Sequence, residues 1–330
     1  MNISYTIKSL FRLDIRSRLQ DAADVAARSG RCLAAVLLDM AYCGIRYGAG
    51  PVDYKVFEFY RKTPAQRATY ITRGINNDLV KHFNDRKYRT YFDNKSVQNA
   101  KFAPLLGRSW LSTETMSREG FRRFCKGKTA FLYKPNGGSC GHGIHKYTLT
   151  GDEDALYRHL KDLAPGVIEE LVCQHSDLAA LYPGAVNTVR VVTICRNGVC
   201  TPLFAFLRMG TGESCVDNLN SGGIAAKVDI QTGTVLSLGA AKDGALYDAH
   251  PATGVPIPGF AIPHWQQVLD LTRAAARFVP QVGYVGWDVA VREADAVLIE
   301  GNCYPGHDIL QLPAYTPEGN GLLASITPYL

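Results

Sequence analysis

Two apolar runs, 285–291 and 296–300, flank the polar quartet Arg292-Glu293-Ala294-Asp295, the pattern of a hairpin buried within a sheet. This hairpin constrains the chain more than any other segment, because it sets acids inside an apolar strand pair. Asp288 lies in the first run, Glu300 ends the second, and Asn302 follows two positions later. Strand side chains alternate between faces, so Glu300 and Asn302 project together while pairing brings Asp288 alongside. Two carboxylates and an amide are hard oxygen donors of the kind Mg²⁺ takes before filling its octahedron with water and phosphate oxygens. An ion-paired or solvated sheet edge would carry the same acids, so other segments must decide.

The run Ala130-Phe131-Leu132 leads through Tyr133 to Lys134 and then to a loop holding Gly137, Gly138, Ser139, Gly141 and Gly143. Glycines let backbone N–H groups approach an anion, and a lysine at the strand end adds a point charge to the same group. The order excludes a Walker phosphate loop, in which the lysine follows the glycines and opens a helix. A flexible hairpin tip would read the same way. Further on, Thr150-Gly151-Asp152-Glu153 caps a helix, and the strand 166–172 ends in Glu169, Glu170, Leu171 and Val172. Such a strand end can offer backbone groups and a carboxylate to an adenine edge, with Asp177 near a ribose hydroxyl, or it can be a plain edge strand with solvated acids.

In this order, a lysine before a glycine loop, an acidic strand end and a terminal Asp…Glu-x-Asn-x-x-Pro-Gly resemble an ATP-grasp protein. Within that superfamily, residues 187–193 (Asn-Thr-Val-Arg-Val-Val-Thr) and 217–224 (Asp-Asn-Leu-Asn-Ser-Gly-Gly-Ile) resemble the branch called sugar-transfer-associated ATP-grasp. The likeness covers residues 90–312 and rests on five signatures in the family's order. It implies an α+β fold in which two α+β subdomains, about 91–175 and 176–330, clasp ATP; the region before it, 1–90, reads from its own spacing and charge as helical and basic, in place of the small α/β domain with which many ATP-grasp enzymes begin.

The resemblance also implies roles. Lys134 matches the phosphate lysine and Lys95 the earlier lysine, with Lys101 as its rival. Gly137, Gly138, Ser139 and Gly141 match the phosphate loop, Glu169 to Val172 with Asp177 the nucleoside site, and Asn218 a segment near the triphosphate. Asp288, Glu300 and Asn302 match the ligands of one or two Mg²⁺ ions. Some relatives carry an arginine two residues before the metal aspartate, where this chain has Gly286. Arg190, a cation among Val189, Val191 and Val192, needs an anion, and Arg208 stands across the Asn197-Gly198 turn from it. These two arginines are the candidates for the catalytic cation, and a snorkelling edge charge is the bland alternative.

The implied chemistry is ligation of a small-molecule carboxylate, an acidic sugar or an amino acid, to an amine through an acyl phosphate. The alternatives are an ATP-dependent phosphotransferase acting on a hydroxyl and a nucleotide-binding regulator without catalysis. Retention of Lys134, Arg190, Asp288, Glu300 and Asn302 argues against the last.

Length and composition suit a globular chain of one large or two moderate domains. No apolar stretch reaches membrane-spanning length, since 33–45 is interrupted by Asp39, and residues 1–20 carry too many charges for a secretion signal; the cytoplasm is the expected compartment. Nine cysteines without a Cys-x-x-Cys pair read as reduced thiols, and Cys140 and Cys303 in the site loops lack a base nearby. Of eight histidines, His142 and His307 fall in site loops. Residues 1–128 hold 24 Lys and Arg against 11 Asp and Glu, and the remainder 12 against 19, so the two parts carry +13 and −7. A basic first third suits an anionic substrate, an acidic glycan, a membrane surface or nucleic acid; the first two are favoured, because no nucleic-acid module or arginine-rich tract appears. Helices are expected over 14–28 and 32–46, from the Thr63-Pro64 cap towards Phe83, and over 263–278.

Overall fold

The computed structural model describes residues 15–137, 141, 143–149, 151–212, 217 and 219–330. The chain divides into two compact units, Met1–His82 with Gly306–Leu330, and Phe83–Pro305, so the closing residues group with the N-terminal helices.

The first unit begins with α1 (Ile15–Ser29), α2 (Leu33–Tyr47), α3 (Pro51–Val56) and α4 (Pro64–Arg67), and α5 (Arg73–Phe83) runs to its boundary. Its core is aromatic: Val36, Met40, Cys43 and Tyr47 from α2 meet Tyr54, Phe57, Phe59 and Tyr70. Thr63 caps α4 through the expected box with Gln66. The helix does not continue to Phe83, however. It stops because Ile71 gives both its backbone groups to Gln311, its N–H to Oε1 at 2.8 Å and its carbonyl to Nε2 at 2.9 Å, an exchange that an α-helix cannot accommodate. His307 is also buried here, with Nε2 2.8 Å from Asp53 Oδ1. Asp53 Oδ2 accepts from the backbone N–H groups of Gly50 and Arg73, so this acid fastens a helix start and the chain after α4.

In the second unit, α6 (Thr90–Asp93) and α7 (Lys95–Leu106) precede a four-stranded antiparallel sheet of β1 (Trp110–Ser112), β2 (Ala130–Pro135), β3 (His145–Thr148) and β4 (Gly166–Glu170), in the order β1-β4-β2-β3. Helices α8 (Arg118–Cys125) and α9 (Glu153–Asp162) cover it through Phe121, Phe124 and Leu160 against Phe131 and Ile168. Asp152 caps α9, accepting from the N–H groups of Asp154 and Ala155; Thr150 of the expected box lies outside the described residues.

After α10 (Ser176–Leu181) comes a seven-stranded antiparallel sheet. Its strands are β5 (Thr188–Arg196), β6 (Val199–Met209), β7 (Ile224–Val228), β8 (Gly239–Ala241), β9 (Leu246–Tyr247), β10 (Tyr284–Val291) and β11 (Ala296–Asn302), with α11 (Trp265–Phe278) inserted before β10. The order is β11-β10-β5-β6-β7-β8-β9. One face, with Val189, Val191, Leu207, Trp287, Val289 and Leu298, packs with Val268, Leu269 and Ala275 of α11 and Phe102 of α7. Gly301 is required beneath Trp287: a β-carbon there would stand 2.6 Å from the indole. Leu323–Ile326 forms α12 of the first unit.

The β5–β6 hairpin turns at Asn197 (φ 51°) and Gly198 (φ 79°), the two left-handed positions that a two-residue hairpin loop demands. That register sets Cys195 opposite Cys200, and the two are joined in a disulfide. The expectation of reduced thiols is therefore corrected for this pair. Cys32, Cys43, Cys125, Cys173 and Cys303 are free, whereas Cys140 and Cys215 lie outside the described residues. Among the described residues no helix is long and apolar enough to cross a membrane.

Candidate active site

The face of the seven-stranded sheet opposite α11 is polar because the register collects its charges. Asp288 pairs with Glu300 on one side and Arg190 on the other, Asn302 stands across from Gly286, and Arg208 stands across from Thr188. Residues that face each other across strands share a face, so the expected hairpin brings Asp288, Glu300 and Asn302 together with both arginines.

Asp288 is fully buried, and three guanidinium donors reach it. Arg190 donates through Nε to Oδ1 and through Nη2 to Oδ2 at 2.7 Å, while Arg208 Nη1 reaches Oδ2 at 2.8 Å. Burial alone would raise this carboxyl, but the two arginines outweigh it and hold Asp288 at about 2. The other arm of Arg208 donates to Asp217 Oδ1 at 2.7 Å, and Asp217 Oδ2 accepts from the N–H of Thr188 at 2.8 Å and from its hydroxyl. Burial works against the charge of Arg208, yet Asp217, Asp288 and Glu300 push its pKa up. Glu300 is half-buried, and Asn302 Nδ2 donates to its Oε1 at 3.3 Å.

On β2, Lys134 is buried at the strand end where the sequence placed it, and its Nζ donates to Glu169 Oε2 at 2.8 Å. Glu169 is itself buried. It also accepts from Arg108 Nε at 2.9 Å and Asn99 Nδ2 at 2.8 Å. Burial raises its pKa, but Lys134, Arg108 and the Asn99 hydrogen bond prevail and bring it to about 2. Its oxygens are thus engaged by side chains of the protein. Arg108 extends the link, donating through Nη1 to the carbonyl of Leu298 at 2.6 Å and through Nη2 to that of Ile299 at 3.2 Å. β11 bulges there, since Asp288 pairs with Glu300 but Val289 with Leu298. A single arginine therefore couples the acid strand end of the small sheet to the strand that carries Glu300.

Lys95 opens α7, whose start is capped by Asn94 Oδ1 accepting from Val97 N–H at 3.1 Å. Burial lowers its pKa; Glu300 and Glu169 oppose this and Lys134 adds to it, so its ammonium lies within the field of residues from both sheets. Its rival Lys101 sits 5.3 Å over the Tyr91 ring. Glu170 accepts from Ser109 N–H at 3.1 Å and Oγ at 2.7 Å. Leu171 and Val172 run half-buried outside helix and strand, and Asp177 is exposed beside His175. Asn136, at the root of the glycine loop, accepts through Oδ1 from Ser96 N–H and Oγ, both at 3.0 Å. Gly137 has open space around it and Gly141 adopts φ +78°. Gly138, Ser139, Asn218 and His142 lie outside the described residues.

Sequence reading missed Arg108, Asn99 and Asp217. Asp217 lies within a segment that drew attention for Asn218, whereas Arg108 and Asn99 sit in an ordinary helix and the turn after it and become visible only when Glu169 is seen buried among them.

A lysine-bearing four-stranded sheet and a seven-stranded sheet whose polar face carries Asp, Glu, Asn and two arginines make up an α+β architecture. The profile of the sugar-transfer associated ATP-grasp family matches residues 146–325, and the chain belongs to that family. The expected α+β ATP-grasp fold with a helical N-terminal region is thereby borne out. No curated protein matches the sequence. Among solved structures, the ATP-grasp ligase PsnB complexed with minimal precursor is 17% identical over 74% of this chain and 64% of its own, with a TM-score of 0.43. The ADP complex of N5-carboxyaminoimidazole ribonucleotide synthetase is 12% identical over 66% and 46%, at 0.43. The D-alanine–D-alanine ligase of Bacillus anthracis with ATP is 12% identical over 71% and 63%, also at 0.43. The chain thus spans 46% to 64% of the length of these structures.

Proposed function

We propose that this chain is an ATP-dependent ligase that activates a small-molecule carboxylate as an acyl phosphate and joins it to an amine. The observation that carries the reading is the convergence, within Phe83–Pro305, of Lys95 and Lys134 with Arg190, Arg208, Asp288, Glu300 and Asn302. Phosphoryl transfer needs positive charge at the triphosphate and little else from the protein. Lys95, Lys134, Arg190 and Arg208 are the cations for it, the last three each ion-paired in this structure with a buried acid, Glu169, Asp288 or Asp217, in a low-dielectric setting.

Glu300 and Asn302 stand beside Asp288 on one face, oxygen donors of the kind Mg²⁺ takes, but both oxygens of Asp288 are bonded to Arg190 and Arg208, so an ion held by Asp288 displaces a guanidinium from it. Asp288, Glu300 and Asn302 would hold one or two ions, and Mg²⁺ there supplies charge neutralisation of the phosphates. Lys134 and Lys95 take the phosphate oxygens, with the loop around Gly137 and Gly141 covering them. Leu171 and Val172 offer backbone groups to the adenine edge, and Asp177 faces the ribose. Because Glu169 is bonded to three side chains, its part is to fix Lys134 rather than to meet the base. Arg190 and Arg208 orient the carboxylate and stabilise the oxyanion formed when the amine adds. An acidic sugar or an amino acid is the proposed carboxylate.

The test is incubation with Mg-ATP and a matrix of uronic acids, amino acids and amines, following free phosphate and product mass. Phosphate release that depends on one carboxylate–amine pair, with a product lighter than the pair by one water, supports ligation. Phosphate retained on a hydroxyl product assigns a kinase instead.

A further inference from the structure

Helix α2 is apolar on two opposite sides, and only one of them is used by the fold. Val36, Met40, Cys43 and Tyr47 are buried in the first unit. Ala34, Leu38, Ala41, Tyr42 and Ile45, at spacings of three and four, occupy the opposite side and are exposed. Leu38 is 74% exposed, Ile45 66% and Tyr42 50%, so this is a continuous stripe rather than scattered surface hydrophobics.

The charges around the stripe are sorted by sign. All three acids of α1 and α2 are held by cations of the same unit: Lys55 Nζ takes Asp21 at 3.0 Å and Asp24 at 2.7 Å, and Arg67 takes both oxygens of Asp39 at 2.7 and 2.8 Å. The exposed side of α2 therefore carries no acid. Arg31 stands at one end of the stripe, 47% of its side chain exposed and its Nη1 3.6 Å from Asp39 Oδ2, and exposed Arg46 lies near the other, over the Tyr47 ring. An apolar strip with a tyrosine in it and arginines at its ends is the composition of a helix lying in a membrane interface, with leucine and isoleucine below the headgroups and guanidinium groups among the phosphates. A second copy would oppose cations to cations, since two such stripes packed antiparallel set Arg31 of one beside Arg46 of the other.

We infer that α2 docks the protein on an anionic lipid surface, using Leu38, Tyr42 and Ile45 as the inserted residues and Arg31 and Arg46 as headgroup contacts. Of the anionic partners open to the basic first third, this selects the membrane surface. The helix lies on the bilayer rather than crossing it, as its 15 residues span only about 22 Å.

The experiment is co-sedimentation of the full chain with phosphatidylcholine vesicles, with and without phosphatidylglycerol. The wild type is expected to sediment with the anionic vesicles only. The double variant Leu38→Asp/Ile45→Asp, whose sites are exposed and whose fold is checked by circular dichroism, should partition at least about tenfold less. Arg31→Gln and Arg46→Gln should each lower partitioning about fivefold, an effect that salt reduces. Absence of sedimentation with either vesicle, or equal partitioning of wild type and the aspartate variant, overturns the inference. So does a wild-type dimer that the aspartate variant splits into monomers, which would give the stripe to a second copy.

Discussion

Arg190 occupies the room that Gly286 leaves open. A β-carbon on Gly286 would stand 3.1 Å from Cδ of Arg190, 3.6 Å from its Nη1 and 3.3 Å from Cβ of Pro305. Two residues before Asp288 this chain has a glycine, and a guanidinium reaches that place from the neighbouring strand. Gly286→Ala should therefore push Arg190 aside while leaving the sheet paired. We expect ATP turnover to fall by about tenfold or more with a stability loss of only about 1 kcal/mol. Phosphate-release kinetics and a denaturant titration check both, and unchanged turnover removes Arg190 from the reaction.

Arg208 should matter more to folding than Arg190. It alone bonds both Asp288 and Asp217, so Arg208→Ala strips a partner from two buried carboxylates, whereas Arg190→Ala leaves Asp288 with Arg208. Breaking a buried ion pair on one side costs about 3 to 5 kcal/mol. The expected outcome is a loss of that size for Arg208→Ala, with Arg190→Ala losing clearly less. Urea unfolding of the two variants side by side decides it, and the reverse order would count against this network.

What could be read from sequence was what strand period and turn chemistry dictate. The β10–β11 hairpin, the Asn197-Gly198 turn and the pairing of Asp288 with Glu300 follow from alternation and from loop residues that tolerate positive φ. Glu169 shows the limit. Its place at a strand end was legible, but its burial beside Arg108 and Asn99 depends on a helix and a turn some 60 residues earlier meeting that strand, which no local pattern encodes. The break after Arg67 was hidden for the same reason, since Gln311 causes it from 240 residues away. The Cys195–Cys200 pairing, by contrast, was implicit in the turn, because a two-residue loop at 197–198 sets 195 against 200.

Acid should unfold the protein through Glu169 and Asp288. Both carboxyls are held at about 2, below their ordinary 4.5 and 3.8, so each contributes stability fully present above its unfolded value and lost as pH falls towards 2. These shifts correspond to contributions on the order of 2 to 3 kcal/mol each. Stability measured by denaturant between pH 7 and pH 3 should thus be flat down to about pH 5 and then decline. Glu169→Gln should begin lower and decline less steeply. An equally steep decline in that variant would remove Glu169 as a source of the acid sensitivity.

Glu300 and Lys134 are both expected to be needed for ATP turnover, but their alanine variants should separate catalysis from stability. Glu300 is half-buried and accepts from Asn302 at 3.3 Å, so Glu300→Ala deletes the proposed metal ligand at little structural cost. Lys134 is buried and neutralises Glu169, whose charge then rests on Arg108 and Asn99 alone. Lys134→Ala should abolish turnover and also destabilise by a few kcal/mol, and adding Glu169→Gln should restore part of the stability but none of the turnover. Glu300→Ala should abolish turnover with near-normal unfolding. Melting curves and phosphate release on the four proteins test the separation, and near-normal turnover in either single variant would refute the phosphate or metal role assigned to that residue.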